Sequence, residues 1–503
     1  MREWLPEDHL VWLVLEIVEQ LDRSPLHARH LNTGCGRAAY DPDMLLALLI
    51  YAYCLGVRSS RQIEQRCVTD VAFRVVCAQD GPDHTTIARF RADHQDAFAA
   101  LFTQVLQVAA AAGLARFGTV AIDGTKIAAN ASRDANRQHD WLSREVNAIL
   151  TQAQRVDAAE DVEQTERPGN GPRLPAGLGD RSGRAARLAA ALAEVQAQQR
   201  AQQQAEQQRE ATAAARLERA QAGASVIGRI PHGPHRLAEA QAHLAREVAL
   251  QQAKLDRRAA VIASGRRPVG RPPVPVEQHP HVIRARRAVE AALAQPAACE
   301  PSPVTQTTLV ANTSDPQSRL MPTRCGFVQG YNAQVAVTAD QVIVAVQLGQ
   351  SPNDFAAFVP MMHAAQAAAD QLHERTDDPR HVIGTVLADA GYASDANLAE
   401  PGPDRLIALG KSRDQARAAR TAPTTGPPPP DATPRQAMDH RLRTAEGAQR
   451  YKRRGATVEP GIGNLKKLLD RFSRRGLDAA ASELHLAATA FNILKIHRAM
   501  PVG

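Results

Sequence analysis

The sequence predicts an α/β protein in which a mixed β-sheet is flanked by helices, interrupted by a long helical insertion and preceded by an all-helical N-terminal domain. Apolar residues recur at helical spacing through residues 1–115. Patterns typical of buried strands begin at Phe117 and return from Gly326 onward. Between these regions the chain is rich in Ala, Gln and Arg and poor in large apolar residues, which favours long solvated helices.

The N-terminal residues predict a series of short helices. Asp41 and Pro42 form a helix start signal ahead of the apolar run Met44–Val57, and Asp83 can cap a helix that begins at His84. A short helix that follows another across a turn, and that carries hydroxyl and guanidinium groups, could lie in a DNA major groove. An ordinary helical bundle with a basic surface is the alternative. The candidate DNA contacts on this helix are Thr85, Thr86, Arg89 and Arg91.

The strands of the core are predicted from apolar patterns that are typical of buried strands. The stretch FGTVAIDGTKIAA predicts a first buried strand, GFVQGYNAQVAVTA and QVIVAVQLG predict a β-hairpin, and HVIGTVLADAGY and DRLIALGKS predict two further strands after a helix. We therefore divide the chain into five parts. These are N-terminal helices in 1–115, the sheet core in 116–135 and 305–415, the insertion in 136–304, a Pro-rich linker in 416–440, and basic C-terminal helices that complete the core in 441–503.

Length and composition restrict the class of protein. A chain of 503 residues has room for about three domains. The run Met44–Val57 is shorter than the roughly 20 residues that span a bilayer, and the opening MREWLPEDHL lacks the apolar centre of a signal peptide. A cytoplasmic protein with no membrane partner is therefore expected. The six cysteines form no C-x-x-C pair, which argues against a zinc site or a disulfide scaffold.

Positive charge is concentrated at the C-terminal end. From Arg441 to Gly503 there are thirteen basic and five acidic residues, so this segment carries +8, whereas the whole chain carries +7. Such clustering is expected for a protein with a polyanion partner, and a solvated helix face is the equally simple alternative.

Two predicted strands end in an aspartate that a small residue follows. Asp123 lies in AIDGT and Asp389 in LADAG. Carboxylates at strand ends suit hard divalent cations such as Mg²⁺, which prefers oxygen ligands together with substrate phosphates. Two such ions about 3.5–4 Å apart can activate an attacking oxygen and stabilise a leaving one. A turn or cap role is the alternative for either residue.

A third carboxylate stands in the basic C-terminal segment. Glu459 is the single acidic residue between Glu446 and Asp470. On a continuous helix Glu459 and Lys466 would share a face two turns apart, so that a carboxylate could hold metal beside an ammonium that holds phosphate. Pro460 disfavours helical geometry at Glu459 and predicts a helix start or a kink there.

In order along the chain, AIDGTK, GYNAQVAV, LADAGY and Y-x2-R-x4-E-x6-K resemble the transposases of bacterial insertion sequences, which have a ribonuclease H-like catalytic domain and a DDE triad. YDPDMLLALLIYAY, PDHTTIARFR, DPQSRLM, RFSRRGL and FNILK resemble the same group. The resemblance covers most of the chain outside residues 140–300. One departure is the spacing, because 265 residues separate Asp123 from Asp389 while 69 separate Asp389 from Glu459.

The resemblance implies a fold, a chemistry and partners. It implies a ribonuclease H-like core in which Asp123, Asp389 and Glu459 bind two Mg²⁺ or Mn²⁺ ions, and DNA cleavage at element ends followed by strand transfer to target DNA. Terminal inverted repeats and target DNA would be the partners of a nucleoid-associated homodimer on paired ends. A DNA endonuclease without strand transfer and a non-catalytic DNA-binding descendant are the alternatives. The predicted DNA contacts outside the N-terminal domain are Lys126, Tyr451, Arg454, Lys466, Arg474 and Arg475.

Overall fold

The computed structural model describes residues 2–28, 39–149, 151–152, 179–224, 226, 234–294 and 309–500. Parts of the predicted insertion, including 153–178 and 295–304, lie outside these residues. The chain forms two compact units, which are described separately. The first comprises Met1–Arg137, Leu142–Ala191 and Ala311–Gly503, and the second comprises Gln138–Trp141 and Leu192–Val310.

Short helices make up the N-terminal part of the first unit, as the sequence predicts. Asp41 caps one of them by accepting a hydrogen bond from the Asp43 amide, and Pro42 occupies its first turn. Asp83 caps another by accepting from the amides of Thr85 and Thr86. The helices are α1 (Leu10–Gln20), α2 (Ser24–His27), α3 (Pro42–Cys54), α4 (Ser60–Thr69), α5 (Val71–Val76), α6 (His84–Asp93) and α7 (Phe98–Ala111).

A mixed six-stranded sheet forms the centre of the first unit, which confirms the predicted mixed α/β architecture. Its strands are β1 (Thr119–Ala128), β4 (Arg319–Thr323), β5 (Gly326–Thr338), β6 (Ile343–Gly349), β7 (Thr385–Ala388) and β8 (Arg405–Ile407), and two short strands outside it are β2 (Asn136–Gln138) and β3 (Val310–Asn312). The order is β4-β5-β1-β7-β8, and β6 also pairs with β5. Strands β1, β7 and β8 run parallel, whereas β5 runs antiparallel to β1, β4 and β6.

Helices from the C-terminal half cover the sheet. They are α12 (Phe358–Thr376), α13 (Asp395–Ala399), α14 (Ser412–Thr421), α15 (Pro434–Arg443), α16 (Ala445–Leu468) and α17 (Leu477–Ala499). Helix α17 is buried along most of its length and packs against α3, α7 and β6. It therefore joins the N-terminal helices and the sheet in one hydrophobic core.

Two sequence predictions need correction in this region. The predicted linker 416–440 is partly helical, because α14 ends and α15 begins within it. Thr433 starts α15 with a capping box in which its side chain and that of Gln436 satisfy each other's backbone amides. Strand β4 was not predicted, since only Met321 of its five residues is buried and the sequence RLMPT lacks an alternating pattern.

The second unit is helical. It contains residues 192–221 of helix α9 (Gly179–Gln221), α10 (Arg236–Ala263) and α11 (Pro280–Leu293). A further helix, α8, is formed by residues 139–149. Within the unit α10 packs against α11, and Arg216 Nε lies 2.8 Å from Glu239 Oε1. Across the described parts of both units, no helix combines the length and apolarity needed to span a membrane.

Candidate active site

The middle of β1 and the C-terminal end of β7, where the two central strands carry their aspartates, form the centre of the candidate site. The prediction that the first strand ends at Asp123 is wrong, because β1 continues to Ala128 in its pairing with β5. In the parallel pairing of the two strands, Ile122 lies opposite Ala388. Asp123 and Asp389 are the next residues, and neighbouring strands are about 4.8 Å apart. The fold therefore brings together two carboxylates that 265 residues separate in the sequence.

Asp123 is largely buried and is paired with an arginine. Its side chain is 20% exposed, and Arg454 Nη1 lies 3.0 Å from Asp123 Oδ2. Burial raises the pKa of Asp123, the Arg454 guanidinium acts in the opposite direction, and the nearby negative charge of Asp389 raises the pKa further. The site is therefore short of positive charge even with Arg454 in place.

Asp389 is half-buried, and one of its carboxylate oxygens already accepts a hydrogen bond. It stands at the start of a short turn, where Asp389 Oδ1 accepts a 2.8 Å hydrogen bond from the Gly391 amide. This bond fixes the carboxylate at the strand end and leaves Oδ2 available. The predicted turn role and the predicted site role are thus compatible for this residue.

Helix α16 brings Arg454 to the centre of the candidate site. Tyr451, Arg454, Val458 and Leu465 recur at intervals of three, four and seven residues, which places them on one helix face. Three of these residues are buried against the sheet, and Arg454 is half-buried among them. Close approach depends on Gly461, because a Cβ there would lie 3.3 Å from both methyl groups of Val337 on β5.

Glu459 lies beside this buried face and is exposed. A Cβ on Gly455 would lie 3.1 Å from Glu459 Oε1, so the glutamate side chain folds back over the preceding turn. One cleft of about 670 Å³ is lined by Glu459, Gly455, Arg454 and Tyr451. The helix passes through Pro460 without interruption, so the predicted helix start at this point is wrong.

The three predicted ligands are not a preformed cluster. Asp123 and Asp389 are neighbours, while Glu459 lines a cleft together with Arg454, the residue that pairs with Asp123. Among the residues that the structure describes, only His27, Asp41 and Asp43 offer three ligand atoms that all lie within 4.8 Å of one another. Those three have structural partners, since Asp41 caps α3 and Asp43 pairs with His27 and Arg23.

The donor set fits a hard divalent cation. Asp123, Asp389 and Glu459 offer only carboxylate oxygens, which Mg²⁺ and Mn²⁺ prefer. Burial and the neighbouring Asp389 raise the pKa of Asp123 although Arg454 pairs with it, so its ionised form would be stabilised by added positive charge. A cation beside Asp123 and Asp389 would supply that charge.

A fourth carboxylate, Asp354, was missed by the sequence analysis. Asp354 Oδ1 accepts hydrogen bonds from Asn332 Nδ2 at 2.7 Å and from Gln334 Nε2 at 2.8 Å, and it lies 3.3 Å from Lys126 Nζ. Gln334 also accepts from the hydroxyl of buried Tyr392. The negative charges of Asp354, Asp123 and Asp389, together with burial, raise the pKa of Tyr392, so all three carboxylates lie close to one phenol.

Two glycines allow these carboxylates to approach one another. A Cβ on Gly124 would lie 2.6 Å from both Asp354 Oδ1 and Gln334 Nε2, which is too close for any other residue. A Cβ on Gly391 would lie 3.0 Å from Asp389 Oδ1 and 3.7 Å from Asp354 Oδ2. Asp354 therefore faces the same small space as Asp389. Asp123 and Asp389 each have a glycine one or two positions later, whereas Asp354 is followed by Phe355, so the same signal did not mark Asp354 in the sequence.

Several side chains that were predicted to contact DNA are already hydrogen-bonded or paired within the protein. Arg91 is the clearest case. Its side chain is 7% exposed, its Nη1 donates to the Arg58 carbonyl at 2.9 Å, and it lies 3.8 Å from the buried Glu483. Arg91 is therefore a core residue, and its prediction as a DNA contact is wrong. Arg89 is exposed on the same helix and stays a candidate.

The two threonines of α6 also have structural partners. Their hydroxyls donate to the carboxylate of Asp83, from Thr85 to Oδ1 and from Thr86 to Oδ2 at 3.0 Å. These bonds and the two backbone amides lower the pKa of Asp83. The threonines thus stabilise the start of the helix, and of the two only Thr85 is exposed.

Arg474 and Arg475 differ although they are adjacent. Arg474 donates to Ser482 Oγ at 2.9 Å and to Gln95 Oε1 at 2.8 Å, and burial lowers its pKa. Arg474 is half-buried, and its contact with DNA stays a prediction. Arg475 is exposed, with its Nε 3.1 Å from the Asn130 carbonyl.

The remaining predicted contacts lie around the site. Lys126 is half-buried beside Asp354, and Tyr451 is buried in the cleft, where burial raises its pKa. Lys466 is exposed two turns along α16 from Glu459, and partial desolvation lowers its pKa. The continuous helix puts Glu459 and Lys466 on one face, as predicted. Their contacts with DNA stay predictions.

Two family models match the chain. Residues 1–93 match a transposase domain (DUF772), and residues 428–497 match a transposase DDE domain. No curated protein and no solved structure gives a significant match. The second family match includes Glu459 and all of α16. Together the two matches support a DDE transposase of the insertion-sequence type.

Proposed function

We propose that this protein is a DNA transposase that cuts DNA at the ends of its element and joins the freed 3′ ends to target DNA. The proposal includes a ribonuclease H-like core and a homodimer on paired ends. The observation that carries it is the pairing of Ile122 with Ala388, because it makes Asp123 and Asp389 neighbours on adjacent strands. The two transposase family matches support the same function.

Asp123, Asp389 and Glu459 would hold two divalent cations, Mg²⁺ or Mn²⁺. When bound, such ions activate the attacking oxygen and stabilise the leaving oxygen. Glu459 is exposed on α16 and lines the cleft. In the proposed reaction its carboxylate would turn toward the aspartates when the cations bind. Arg454 pairs with Asp123 in the protein alone and would be released to contact DNA when cations bind Asp123.

The reaction is in-line attack at phosphorus. A water oxygen attacks first, the phosphorus–O3′ bond breaks, and the 3′ oxygen leaves as a hydroxyl. That hydroxyl then attacks a phosphodiester of the target, whose own 3′ oxygen leaves. No bond between protein and DNA forms. Lys126 and Lys466 would neutralise phosphate next to the reacting group.

Cleavage of a labelled element-end duplex in Mg²⁺ tests the proposal. Asp389→Asn and Glu459→Gln should each abolish cleavage and leave DNA binding, which depends mainly on phosphate contacts. The matched controls are Asp377→Asn, at a fully exposed site, and Glu446→Gln, in the first turn of α16. Near-normal cleavage by a site variant would remove that residue from the proposed triad.

A strand-transfer assay separates the full reaction from simple cutting. The precleaved end is offered to a supercoiled plasmid, and joined products are counted. Cutting without joining would favour the endonuclease alternative. DNA binding without either reaction in Mg²⁺ or Mn²⁺ would favour a non-catalytic descendant.

A further inference from the structure

A second groove lies beyond the end of β1, away from the cleft of α16. It has a volume of about 670 Å³. The segment that forms one wall is joined to the strand, since Arg471 makes a parallel bridge with Ala128 and the Phe472 amide donates to the Ala128 carbonyl at 2.8 Å. Asn130 Nδ2 donates to the Ser473 carbonyl at 2.7 Å. Backbone contacts thus fix the groove in place.

Three exposed arginines line this groove: Arg133, Arg471 and Arg475. Arg133 Nη1 donates to the Phe327 carbonyl at 3.2 Å and Arg475 Nε to the Asn130 carbonyl at 3.1 Å. None of the three forms a salt bridge within the described part of the chain. A guanidinium group that donates to a neutral carbonyl keeps its net positive charge. That charge remains available to an anion.

Two carboxylates are near the arginines. Asp134 lines the groove. The buried Asp315 interacts electrostatically with Arg475. Asp315 accepts from the Tyr331 hydroxyl at 2.8 Å and from the Gly476 amide at 3.2 Å, so it is committed to the fold. The groove therefore keeps a positive balance.

An aromatic side chain stands beside these charges. Phe327 lines the groove and is 56% exposed, although most large apolar residues of the sheet are buried. Arginines next to an exposed aromatic ring suit nucleic acid, since the charges contact phosphates and the ring contacts a base or a sugar. An acidic protein segment would use the charges but would not need the ring.

The strand itself sets the distance from the candidate active site. Five residues along β1 separate Asp123 from Ala128, which corresponds to about 17 Å at roughly 3.3 Å per residue. Phosphates of one DNA strand follow one another at about 3.4 Å along the helix axis, so this span is about five nucleotides. We propose that the groove of Arg133, Arg471 and Arg475 binds DNA phosphates about five nucleotides from the scissile bond, an inference that rests on the proposed transposase function.

The first test measures the salt dependence of DNA binding by the full-length protein. Removing two phosphate contacts in Arg471→Ala/Arg475→Ala should reduce the slope of log affinity against log salt by about two units. Arg116→Ala is the matched control, because Arg116 is exposed next to the opposite end of β1, before Thr119. It should leave the slope unchanged. Arg471→Lys/Arg475→Lys should retain most of the slope, and a thermal unfolding curve shared by all variants shows that folding is intact.

The second test locates the contact. Single methylphosphonates, which remove one phosphate charge, are placed at successive positions of the element-end duplex. The wild-type protein should lose affinity most when the change lies four to six nucleotides from the scissile bond, a span about equal to the strand length above. The double alanine variant should be insensitive at those positions and should keep the wild-type response elsewhere.

The outcomes separate this inference from the proposed function. An unchanged slope, or a positional response that the double variant keeps, overturns the groove as a DNA site. Selective binding of an acidic peptide, with DNA affinity unaltered in the double variant, overturns it in favour of a protein partner. A wild-type protein that never cleaves, yet shows both expected binding effects, overturns the transposase proposal and supports the groove.

Discussion

Helix α6 and the central strands β1 and β7 both carry polar side chains that the sequence marks as functional. In α6, Arg91 is buried and paired, and the hydroxyls of Thr85 and Thr86 hold the capping Asp83. On β1, Asp123 stays short of positive charge despite Arg454. The type of a residue indicates which groups its side chain can bind. Contacts with residues that are distant in the sequence determine whether that side chain is already paired within the fold.

The largest effect should come from the arginine that we assign to the core. Arg91→Ala would remove the salt-bridge partner of the buried Glu483 and should lower the free energy of unfolding by about 3–5 kcal/mol. Arg89→Ala, on the exposed side of the same helix, should change it by less than about 0.5 kcal/mol. Urea unfolding of the two variants checks this. Equal stabilities would return Arg91 to the list of possible DNA contacts.

A smaller effect is expected at Asp354, which supports the candidate site without being part of the triad. Asp354→Asn keeps the size of the side chain but removes the charge that orients Lys126, Asn332 and Gln334. By analogy with residues that orient metal ligands, cleavage should fall about 10–100-fold. Single-turnover cleavage at several Mg²⁺ concentrations measures it, with Asp370→Asn on the exposed side of α12 as the control. A wild-type rate would mean that the interactions of Asp354 serve folding alone.

The raised pKa of Asp123 predicts a dependence of stability on pH. Because the folded protein holds the proton of Asp123 more tightly than the unfolded chain, this site favours folding at acid pH, and the benefit is lost as pH rises through the folded pKa. Asp123→Asn, which imitates the protonated form, should therefore be more stable than the wild type at neutral pH in EDTA. The difference should vanish at acid pH.

Denaturant unfolding across pH tests this, and Mg²⁺ provides the control. Added Mg²⁺ should stabilise the wild type and leave Asp123→Asn unaffected, since the variant lacks one ligand. A variant that is less stable than the wild type at neutral pH would show that the Arg454 ion pair outweighs burial.

The smallest effect concerns two adjacent lysines on α16. Lys466 shares a face with Glu459, while Lys467 points about 100° away and lies 3.2 Å from Asn464 Oδ1. Lys466→Ala should reduce the salt slope of DNA affinity by about one unit, as expected for one phosphate contact, and Lys467→Ala should not. Lys466→Arg should rescue in part, because a planar fork replaces a compact charge. Equal effects of the two alanine variants would indicate an undifferentiated basic surface.

Local patterns predicted the elements of the fold and part of the site. Apolar spacing gave β1, β5, β6 and most helices, and the Asp-Gly and Asp-Ala-Gly motifs pointed to Asp123 and Asp389. The register that makes these aspartates neighbours, and the position of Asp354 beside them, depend on pairings across hundreds of residues. No local pattern contains that information. The same limit explains Arg91 and Arg474, whose partners lie near opposite ends of the chain.

Pro460 within α16 has a consequence for the backbone next to Glu459. Proline has no amide hydrogen, so the carbonyl of Ala456 lacks its usual helical donor. Ala456 is exposed, and water can hydrate that oxygen at little cost. On the N-terminal side of this missing hydrogen bond, Arg454 pairs with Asp123. On the C-terminal side, Gly461 packs against Val337. Glu459 therefore lies between two anchored segments of one helix, next to a turn that has one backbone hydrogen bond fewer.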